Sequence, residues 1–312
     1  MSAAVTPWVI CDDLAGLRAQ AIGLAEAAGL TPELRILTPA APWRWISARL
    51  WPNPLAVVKQ AVKAPLPAFA IGCGGMAGAV LSALRRPSLP VVQVQNPRMD
   101  IRRFDLVIAN VHDELSGPNV FVVRTALHRV TPERLAAEAE TWRPRLAHLT
   151  RPLVSVLLGG SNGRYRLDRE AGAGLAAELV EMARRDKVGI AVTPSRRTDP
   201  AVTAAIHEAL EPYGGWVWDL TGDNPYFGML ALADGIIVTQ DSVSMISEAA
   251  ATTAPVMFVP LPGSSRRQGI FLRTLMQEDR IRPFQGRFAI WPVARLNDTP
   301  AAAAEMRRRL GF

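Results

Sequence analysis

Residues 234–263, which read DGIIVTQDSVSMISEAAATTAPVMFVPLPG, contain the pattern that decides the fold. An apolar run at 235–239 ends in a short polar turn, a helix-like segment begins at Ser242, and a second apolar run follows at 256–261. This pattern predicts a strand, a helix and a second strand parallel to the first. The N–H groups at a helix start have no intrahelical partners, so the polar turn favours an anion such as phosphate. A capped helix that binds no ligand is the alternative interpretation.

Ser244 and Glu248 are four residues apart in the predicted helix and therefore lie on one face of it. This spacing places a carboxylate one turn beyond the predicted phosphate site. A ribose diol carried by that phosphate could donate hydrogen bonds to the carboxylate. The stretch therefore predicts a nucleotide site at the end of its first strand.

Length and composition limit the classes of protein to consider. The chain has 312 residues, of which 49% are hydrophobic and 20% charged, so it predicts two well-packed domains. The net charge is +7, and the first 150 residues carry most of the excess, with 16 Lys and Arg against 11 Asp and Glu. Such an excess suits a phosphorylated substrate or an anionic membrane surface. Zinc-finger spacing and RNA-binding aromatic motifs are not found, so nucleic acid is not an expected partner.

The cysteines and the N-terminal residues bear on the compartment. Cys11 and Cys73 lie in or beside apolar runs, which predicts buried free thiols in a reducing compartment. The first 16 residues lack a basic segment followed by a long apolar core, so no signal peptide is predicted. The uncharged residues 64–84 are long enough to cross a bilayer, but their prolines and glycines predict a strand, a glycine loop and a helix. We therefore expect a cytoplasmic protein, either free or peripheral at the inner membrane.

Short strands alternate with helices along the chain, which indicates parallel α/β sheets. The predicted strands of the first series lie at 8–11, 33–37, 69–71, 90–95 and 104–109. A break at 150–152 precedes a second series, at 153–158, 189–193, 216–218, 235–239 and 256–261. The predicted fold class is α/β, with two Rossmann-like domains facing a cleft. The predicted domains are residues 1–150 and residues 151–290, followed by a tail helix in 291–312 that could cross back to the first domain.

An unusual segment follows the second predicted strand. Trp43, Trp45 and Trp51 are interleaved with Arg44 and Arg49. Tryptophan and arginine together suit the headgroup boundary of a bilayer, or a lid over an acceptor site. A local hydrophobic cluster that holds a loop in place is the alternative. Peripheral membrane contact through Trp43 to Trp51 is therefore one prediction of the sequence.

Polar residues follow three predicted strands of the second half, at 159–162, 195–198 and 239–244. Because parallel strands end at the same edge of a sheet, these residues are expected to converge. They offer backbone N–H groups, hydroxyls and two arginines, a set that fits a diphosphate without a metal ion. The predicted binding residues, together with one from a polar turn further along the chain, are Gly159, Gly160, Ser161, Asn162, Ser195, Arg196, Arg197, Asn224, Asp241, Ser242, Ser244 and Glu248.

Other kinds of site are disfavoured by missing motifs. The four histidines show no metal-ligand spacing and no Asp-x-Asp pair occurs, so no metal site is predicted. A Walker-type glycine loop is not found, which argues against a kinase or an ATPase. The dinucleotide fingerprint Gly-x-Gly-x-x-Gly is also missing, which weakens an epimerase interpretation. No cofactor is expected.

Several long motifs of this chain closely resemble those of the mitochondrial-fission Elm-type family. They are SVSMISEAAATTAPVMFVPLPG, LLGGSNGRYRLD, TPSRRT, TGDNPYFGMLALAD, VQVQNPRMDIRRFDLVIANVHDEL and GPNVFVV. Bacterial members of that family are described as candidate glycosyltransferases, and sometimes loosely as nucleoside-diphosphate-sugar epimerases. The resemblance implies a glycosyltransferase-B-like fold, with residues 1–150 as the acceptor domain and residues 151–290 as the domain that binds the nucleotide-sugar donor. It also implies that Glu248 holds the ribose and that Ser242 and Ser244 hold the diphosphate.

The chain departs from the family pattern after its first strand. The pattern resembles Asp-Gly-Lys-Ala-Gly-His-x-x-Gln, but Leu17 stands here in place of the histidine. If that histidine is catalytic in relatives, this protein uses another base or has no activity. Asp13 is the first candidate base, and His112 or Asp113 is the second.

The sequence therefore predicts a metal-independent glycosyltransferase. Its donor would be a nucleotide-diphosphate sugar, and its acceptor a saccharide of the envelope or a lipid-linked one. A non-catalytic protein that keeps the fold as a membrane-associated binding or scaffold protein is the alternative.

Overall fold

The computed structural model describes residues 6–312, so the part of the signal-peptide prediction that rests on residues 1–5 lies outside it. The chain forms two compact units. One contains the described residues up to Arg129 together with Asn297–Phe312, and the other contains Val130–Leu296.

The first unit is built on a parallel sheet, whose six strands among the described residues have the order β2-β1-β3-β4-β5-β6. Its strands are β1 (Trp8–Asp12), β2 (Glu33–Leu37), β3 (Ala70–Cys73), β4 (Val91–Val94), β5 (Leu106–Asn110) and β6 (Val120–Val123). Its first three helices are α1 (Ala15–Ala27), α2 (Pro54–Val57) and α3 (Gly75–Leu84). Two apolar clusters cover the two faces of the sheet, and most strand positions are fully buried, as expected for a sheet enclosed by helices.

The second unit repeats this architecture with the strand order β12-β11-β10-β7-β8-β9, again all parallel. Its strands are β7 (Leu153–Leu158), β8 (Gly189–Pro194), β9 (Trp216–Val217), β10 (Gly235–Thr239), β11 (Val256–Val259) and β12 (Ile281–Pro283). Its helices are α4 (Pro132–Leu146), α5 (Arg169–Asp186), α6 (Pro200–Leu210), α7 (Tyr226–Leu232), α8 (Val243–Ala250) and α9 (Arg266–Gln277). The strand–helix–strand unit predicted from residues 234–263 is β10, α8 and β11.

The two units divide at a different place from the predicted break at 150–152. Helix α4 was predicted to close the first domain, but it packs against α7 in the second unit. The ring of Trp142 lies directly over Gly228, where an added Cβ would meet the ring at 2.3 Å. Only glycine at this position lets α4 approach α7 so closely.

The tail helix α10 (Thr299–Leu310) belongs to the first unit, where it packs on α1. Asp298, just before the helix, is buried and accepts hydrogen bonds from the backbone N–H groups of Arg124 at 2.5 Å and Thr125 at 3.3 Å. Burial opposes ionisation of Asp298, but the side-chain and backbone hydrogen bonds from Arg124 lower its pKa overall.

The uncharged segment 64–84 forms β3 and the short helix α3, as the glycines and prolines predicted. Among residues 6–312, no helix has the length and apolar composition needed to cross a membrane. Cys11 and Cys73 are both free and buried, as predicted.

Candidate functional site

Each sheet has one place where the chain reverses its direction of travel across the strands. In the second sheet this place lies between β7 and β10, and in the first sheet between β1 and β3. In open parallel sheets, ligands bind outside the carboxyl ends of the strands at such switch points. The two edges are therefore the places at which to examine the predicted site residues.

The three polar strand ends of the second sheet meet, as their parallel order requires. The N–H of Gly159, after β7, donates to Thr239 Oγ1 at the end of β10 at 2.8 Å. Ser195, after β8, donates its hydroxyl to the carbonyl oxygen of Gly159 at 2.8 Å, and Thr198 Oγ1 donates to the same oxygen. We call this junction of residues 159–162, 195–198 and 239–242 the β7 corner.

Asp241 holds the β7 corner together. Its buried carboxylate accepts hydrogen bonds from Thr239 Oγ1 at 2.7 Å, from the N–H of Gly160 at 3.1 Å and from the guanidinium of Arg197 at 3.0 Å. A carboxylate with three internal donors is satisfied, and its charge would repel a phosphate placed against it. We therefore assign Asp241 to the framework of the corner, although the sequence grouped it with the ligand-binding residues.

The two glycines are also engaged within the protein, since the N–H groups of Gly159 and Gly160 donate to Thr239 and Asp241. A Cβ at Gly159 would meet the Asp241 carboxylate at 2.3 Å, and one at Gly160 would meet the carbonyl oxygen of Arg197 at 2.2 Å. These glycines permit close packing of the corner, and their N–H groups are not available as the diphosphate donors that the sequence suggested.

Other polar groups of the corner remain accessible. The side chains of Ser161 and Asn162 are exposed, and each accepts hydrogen bonds from the following loop while keeping its own donor hydrogens. The guanidinium of Arg196 is exposed and has no hydrogen-bond or ion-pair partner in the part of the chain that the structure describes. These groups, and not the glycine N–H groups, are the available donors after β7 and β8.

Helix α8 begins at the corner with Ser242 as its N-cap, whose Oγ accepts from the N–H of Met245 at 3.4 Å. Ser244 lies in its first turn and is half-buried. The N-terminus of this helix therefore faces the same edge as Ser161 and Arg196, and the positive end of its dipole favours an anion.

Glu248 lies one turn further along α8, where only 8% of its surface is exposed. Its Oε2 accepts a hydrogen bond from the hydroxyl of Tyr226, the first residue of α7. Burial raises the pKa of Glu248 to about 7, and the Tyr226 hydroxyl opposes this shift because it favours the charged form. Burial and the nearby carboxylate together raise the pKa of Tyr226 well above its ordinary value. Near neutral pH, Glu248 is therefore the member of this pair that gains or loses a proton, while Tyr226 stays protonated.

Asn224 lies in the loop before α7, where its side-chain oxygen accepts from the N–H of Tyr226 at 3.0 Å. It therefore orients the start of α7, and with it the tyrosine that contacts Glu248. Sequence reasoning did not select Tyr226, although its position directly after a polar turn and a proline was visible.

The three candidate bases in the first unit lie in different settings. Asp13 is exposed and pairs with Arg18 at 3.4 Å. His112 is buried in a short 3-10 turn after β5. Asp113 Oδ2 accepts from the backbone N–H groups of Asn96 at 3.3 Å and Asn110 at 3.2 Å, which fixes the loop after β5.

Asp12, which the sequence analysis did not select, is the carboxylate at the switch point of the first sheet. It ends β1 and is half-buried, and within residues 6–312 its Oδ1 is buried without a hydrogen-bond partner. Burial raises its pKa. When the family pattern is aligned so that its histidine falls on Leu17, its aspartate falls on Asp12 and not on Asp13. The same alignment could therefore have selected Asp12 from the sequence.

Leu17 occupies the position of the family histidine and packs into the first unit. It is half-buried against the apolar cluster of that unit, and its Cδ1 would lie 2.9 Å from a Cβ added at Gly74. Leu17 therefore fills the space beside the start of α3 at the switch point, where it can neither bind nor release a proton.

Solved structures with a similar fold identify the fold class as glycosyltransferase-B, with two Rossmann-like domains. The UDP-GlcNAc 2-epimerase of Methanocaldococcus jannaschii, in complex with UDP-GlcNAc and UDP, matches with a TM-score of 0.65 at 10% identity, covering 98% of this chain and 100% of that one. UGT71G1 of Medicago truncatula, complexed with UDP-glucose, matches with a TM-score of 0.56 at 12% identity, covering 98% of this chain and 90% of that one. MurG of Acinetobacter baumannii matches with a TM-score of 0.51 at 17% identity, covering 96% of this chain and 95% of that one.

Sequence comparison identifies the family within this class. Residues 15–310 match the family described as Mitochondrial fission ELM1, and the chain belongs to that family. It is 30% identical over 289 residues to the mitochondrial fission protein ELM1 of Arabidopsis thaliana, covering 81% of this chain and 66% of that protein. It is 26% identical over 328 residues to the uncharacterized protein RP120 of Rickettsia prowazekii, covering 89% of this chain and 90% of that protein. The chain thus spans slightly less than two thirds of the plant relative.

Proposed function

We propose that this chain is a glycosyltransferase that moves a sugar from a nucleotide-diphosphate sugar to an envelope or lipid-linked acceptor. The observation that carries the proposal is the position of Glu248, a buried carboxylate one turn into a helix that starts at the switch point of the second sheet. A nucleotide placed there has its diphosphate at the start of α8 and its ribose diol at the carboxylate. Two of the structural neighbours are complexes with UDP-glucose and with UDP-GlcNAc, which supports the same class of donor here.

The proposed reaction needs charge stabilisation at the donor and a base at the acceptor. The acceptor oxygen forms a bond to the anomeric carbon, the bond from that carbon to the diphosphate breaks, and the acceptor proton passes to a base. The N-terminus of α8 and the accessible Arg196 would stabilise the departing diphosphate without a metal ion. Asp12, at the switch point of the first sheet, is the base that we propose in place of Asp13. We also propose that the protein has no resident cofactor and that it is cytoplasmic.

Calorimetric titration with uridine, guanosine, adenosine and cytidine diphosphate sugars tests the donor site. We expect one of the four to bind with a Kd between roughly 1 μM and 1 mM, the usual range of enzyme substrates. Glu248→Ala should weaken that binding about tenfold or more, because hydrogen bonds to a charged group contribute about 1.5–3 kcal/mol. Failure of all four sugars to bind, or equal binding by the variant, would contradict the proposal.

A non-catalytic binding or scaffold protein is the second candidate, and Leu17 is the observation that favours it. Transfer of a labelled sugar to membrane-extracted acceptors separates the two functions. For the enzyme, Asp12→Asn should reduce transfer by about 100-fold or more while the donor Kd stays unchanged. A protein that binds the donor but releases no nucleoside diphosphate with any acceptor fraction would support the scaffold.

A further inference from the structure

We propose that residues 43–63 of the first unit form a docking surface for an anionic lipid bilayer. Trp45 and Leu50 would enter the boundary between headgroups and acyl chains, and the surrounding arginines and lysines would contact lipid phosphates. We call these residues the bilayer-facing loop.

The loop is folded and anchored, because Trp51 ties it to the core. Trp51 is 5% exposed and packs in an apolar cluster of the first unit. Its indole N–H lies within hydrogen-bond distance of the carbonyl oxygens of Trp43 at 3.3 Å and Ile46 at 3.1 Å. Two short 3-10 turns, Trp43–Trp45 and Ala48–Leu50, are stabilised around it. The local hydrophobic cluster expected as an alternative therefore exists: Trp51 is buried in it and Trp43 packs against it, whereas Trp45 and Leu50 are exposed.

The anchored loop holds other apolar side chains outward. Trp45 is 69% exposed, Leu50 is 73% exposed and Ile46 is 36% exposed. These three residues lie within six positions of one another, so their Cα atoms are at most about 20 Å apart. Isolated exposed apolar residues are common on soluble proteins, but a cluster that contains tryptophan marks a contact surface.

The charged residues of the loop and of the sequence on either side of it are all positive. No Asp or Glu occurs between Glu33 and Asp100, while the same stretch contains eight Lys and Arg residues. Arg44, Arg49, Lys59 and Lys63 are exposed, and none of them pairs with a carboxylate of residues 6–312. The guanidinium of Arg44 lies 4.3 Å from the centre of the Trp45 ring. An apolar tip surrounded by uncompensated cations complements a surface that is anionic outside and apolar inside.

This charge also decides between possible occupants of the patch. A second copy of the chain in a symmetric dimer would bring the same cations together, which is unfavourable. Single-stranded nucleic acid would require stacked bases on several aromatic rings, and of the three tryptophans in this loop only Trp45 is mostly exposed. The anionic bilayer satisfies both the apolar and the charged side chains.

Flotation of the full chain with lipid vesicles, in the absence of nucleotide, tests this proposal independently of the proposed function. The vesicles contain phosphatidylcholine alone or phosphatidylcholine mixed with phosphatidylglycerol. We expect binding to the mixed vesicles, weak or no binding to the neutral ones, and a decrease as salt is raised. Arg44→Gln with Arg49→Gln should lower the partition coefficient roughly 30-fold, from about 1 kcal/mol per charge near the surface.

Matched variants make the result specific. Trp45→Ser with Leu50→Ser should abolish flotation, whereas Tyr213→Ser with Ile290→Ser, exposed apolar positions of the second unit, should leave it unchanged. Arg143→Gln with Arg184→Gln controls for the loss of two exposed charges. Thermal melting confirms that each variant is folded. Absence of binding to the mixed vesicles, or binding that both loop variants retain, would overturn the proposal.

Discussion

Glu248 is the residue on which the donor site depends, and its chemistry follows from its burial. A carboxyl with a pKa near 7 is neutral about half the time at neutral pH, whereas a ribose diol donates best to an ionised carboxylate. The hydroxyl of Tyr226 already occupies Oε2 and favours the ionised form. Tyr226 therefore acts as a positioning residue that prepares the carboxylate for the nucleotide.

Nucleotide binding should consequently depend on pH through Glu248. For a site that needs the ionised form, we expect the Kd of the donor to be about tenfold higher at pH 6 than at pH 8. Tyr226→Phe removes the hydrogen bond that favours ionisation, so the midpoint should move to higher pH. Glu248→Gln should bind more weakly and show no such dependence. A pH profile that is the same in all three proteins would show that Glu248 does not contact the nucleotide.

Gly160 is the residue at which the β7 corner is most sensitive to size. A methyl group there would meet the backbone of Arg197 at 2.2 Å, and backbone cannot move aside as a flexible side chain can. We expect Gly160→Ala to lower the free energy of unfolding by about 1–3 kcal/mol, the usual cost of overpacking. Urea unfolding measures this change.

Gly163 on the same loop is the matched control, because a Cβ at that position meets nothing within 4 Å. Gly163→Ala should change stability by less than about 0.5 kcal/mol, as most surface substitutions do. Equal effects of the two substitutions would mean that the strand ends are not packed against each other as described.

At the scale of elements, the attachment of α10 to the first unit depends on Asp298. Its carboxylate is ionised and mostly buried, with donors from Arg124 and Thr125. Asp298→Ala leaves those buried N–H groups without an acceptor and should destabilise the protein by about 1.5–3 kcal/mol. Because its pKa is lowered in the folded state, this contribution is present above its unfolded pKa and disappears as the pH falls below it.

Glu181→Ala is the corresponding control for this experiment. Glu181 pairs with Arg184 on the exposed face of α5, where ion pairs contribute about 0–1 kcal/mol. Chemical unfolding of both variants near neutral pH gives the comparison. A cost for Asp298→Ala no greater than that of the control would contradict the anchoring role of Asp298.

Most strands of the two sheets could be predicted because they are short apolar runs with polar residues at their ends. Residues 33–37, 153–158 and 235–239 form strands with the predicted bounds. Strands β6 and β12 were not predicted: both lie at an edge of their sheet, β6 is partly exposed, and β12 has only three residues, Ile281–Pro283. The place where the units divide was also missed, because packing of Trp142 on Gly228 is a long-range contact that no local pattern records.

The candidate site could be located from the sequence, but its internal bonding could not. Convergence of three strand ends follows from parallel topology, and the structure brings Gly159, Ser195 and Thr239 together. Side-chain geometry decides which polar groups of the corner hydrogen-bond to one another, and the sequence does not record it. For this reason the carboxylate of Asp241, which is satisfied within the protein, was grouped with the ligand-binding residues. The partner of Glu248 comes from α7, a separate element whose register the pattern does not specify.

At the scale of the whole molecule, the two units should respond to acid in opposite directions. Glu248 in the second unit has a raised pKa, so this unit loses up to about 3 kcal/mol of stability as the pH rises from 4.5 to about 7. Burial lowers the pKa of His128 in the first unit to about 4, so that unit loses a similar amount, about 3 kcal/mol, as the pH falls from 6.5.

Pulse proteolysis in urea, with the resistant fragments mapped by mass spectrometry, follows each unit separately. At pH 5 the first unit should be cleaved at a lower urea concentration than at pH 7.5, and the second unit at a higher one. In the Glu248→Gln variant, the urea concentration at which the second unit is cleaved should lose the pH dependence that Glu248 causes. Parallel shifts of both units would contradict the opposed titrations.

A co-crystal structure with the nucleotide-diphosphate sugar that binds in titration tests the central claim most directly. We expect the diphosphate at the N-terminus of α8 beside Ser242 and Arg196, and the ribose within hydrogen-bond distance of Glu248. A nucleotide bound outside the carboxyl edge of the second sheet, or one whose ribose does not contact Glu248, would contradict it.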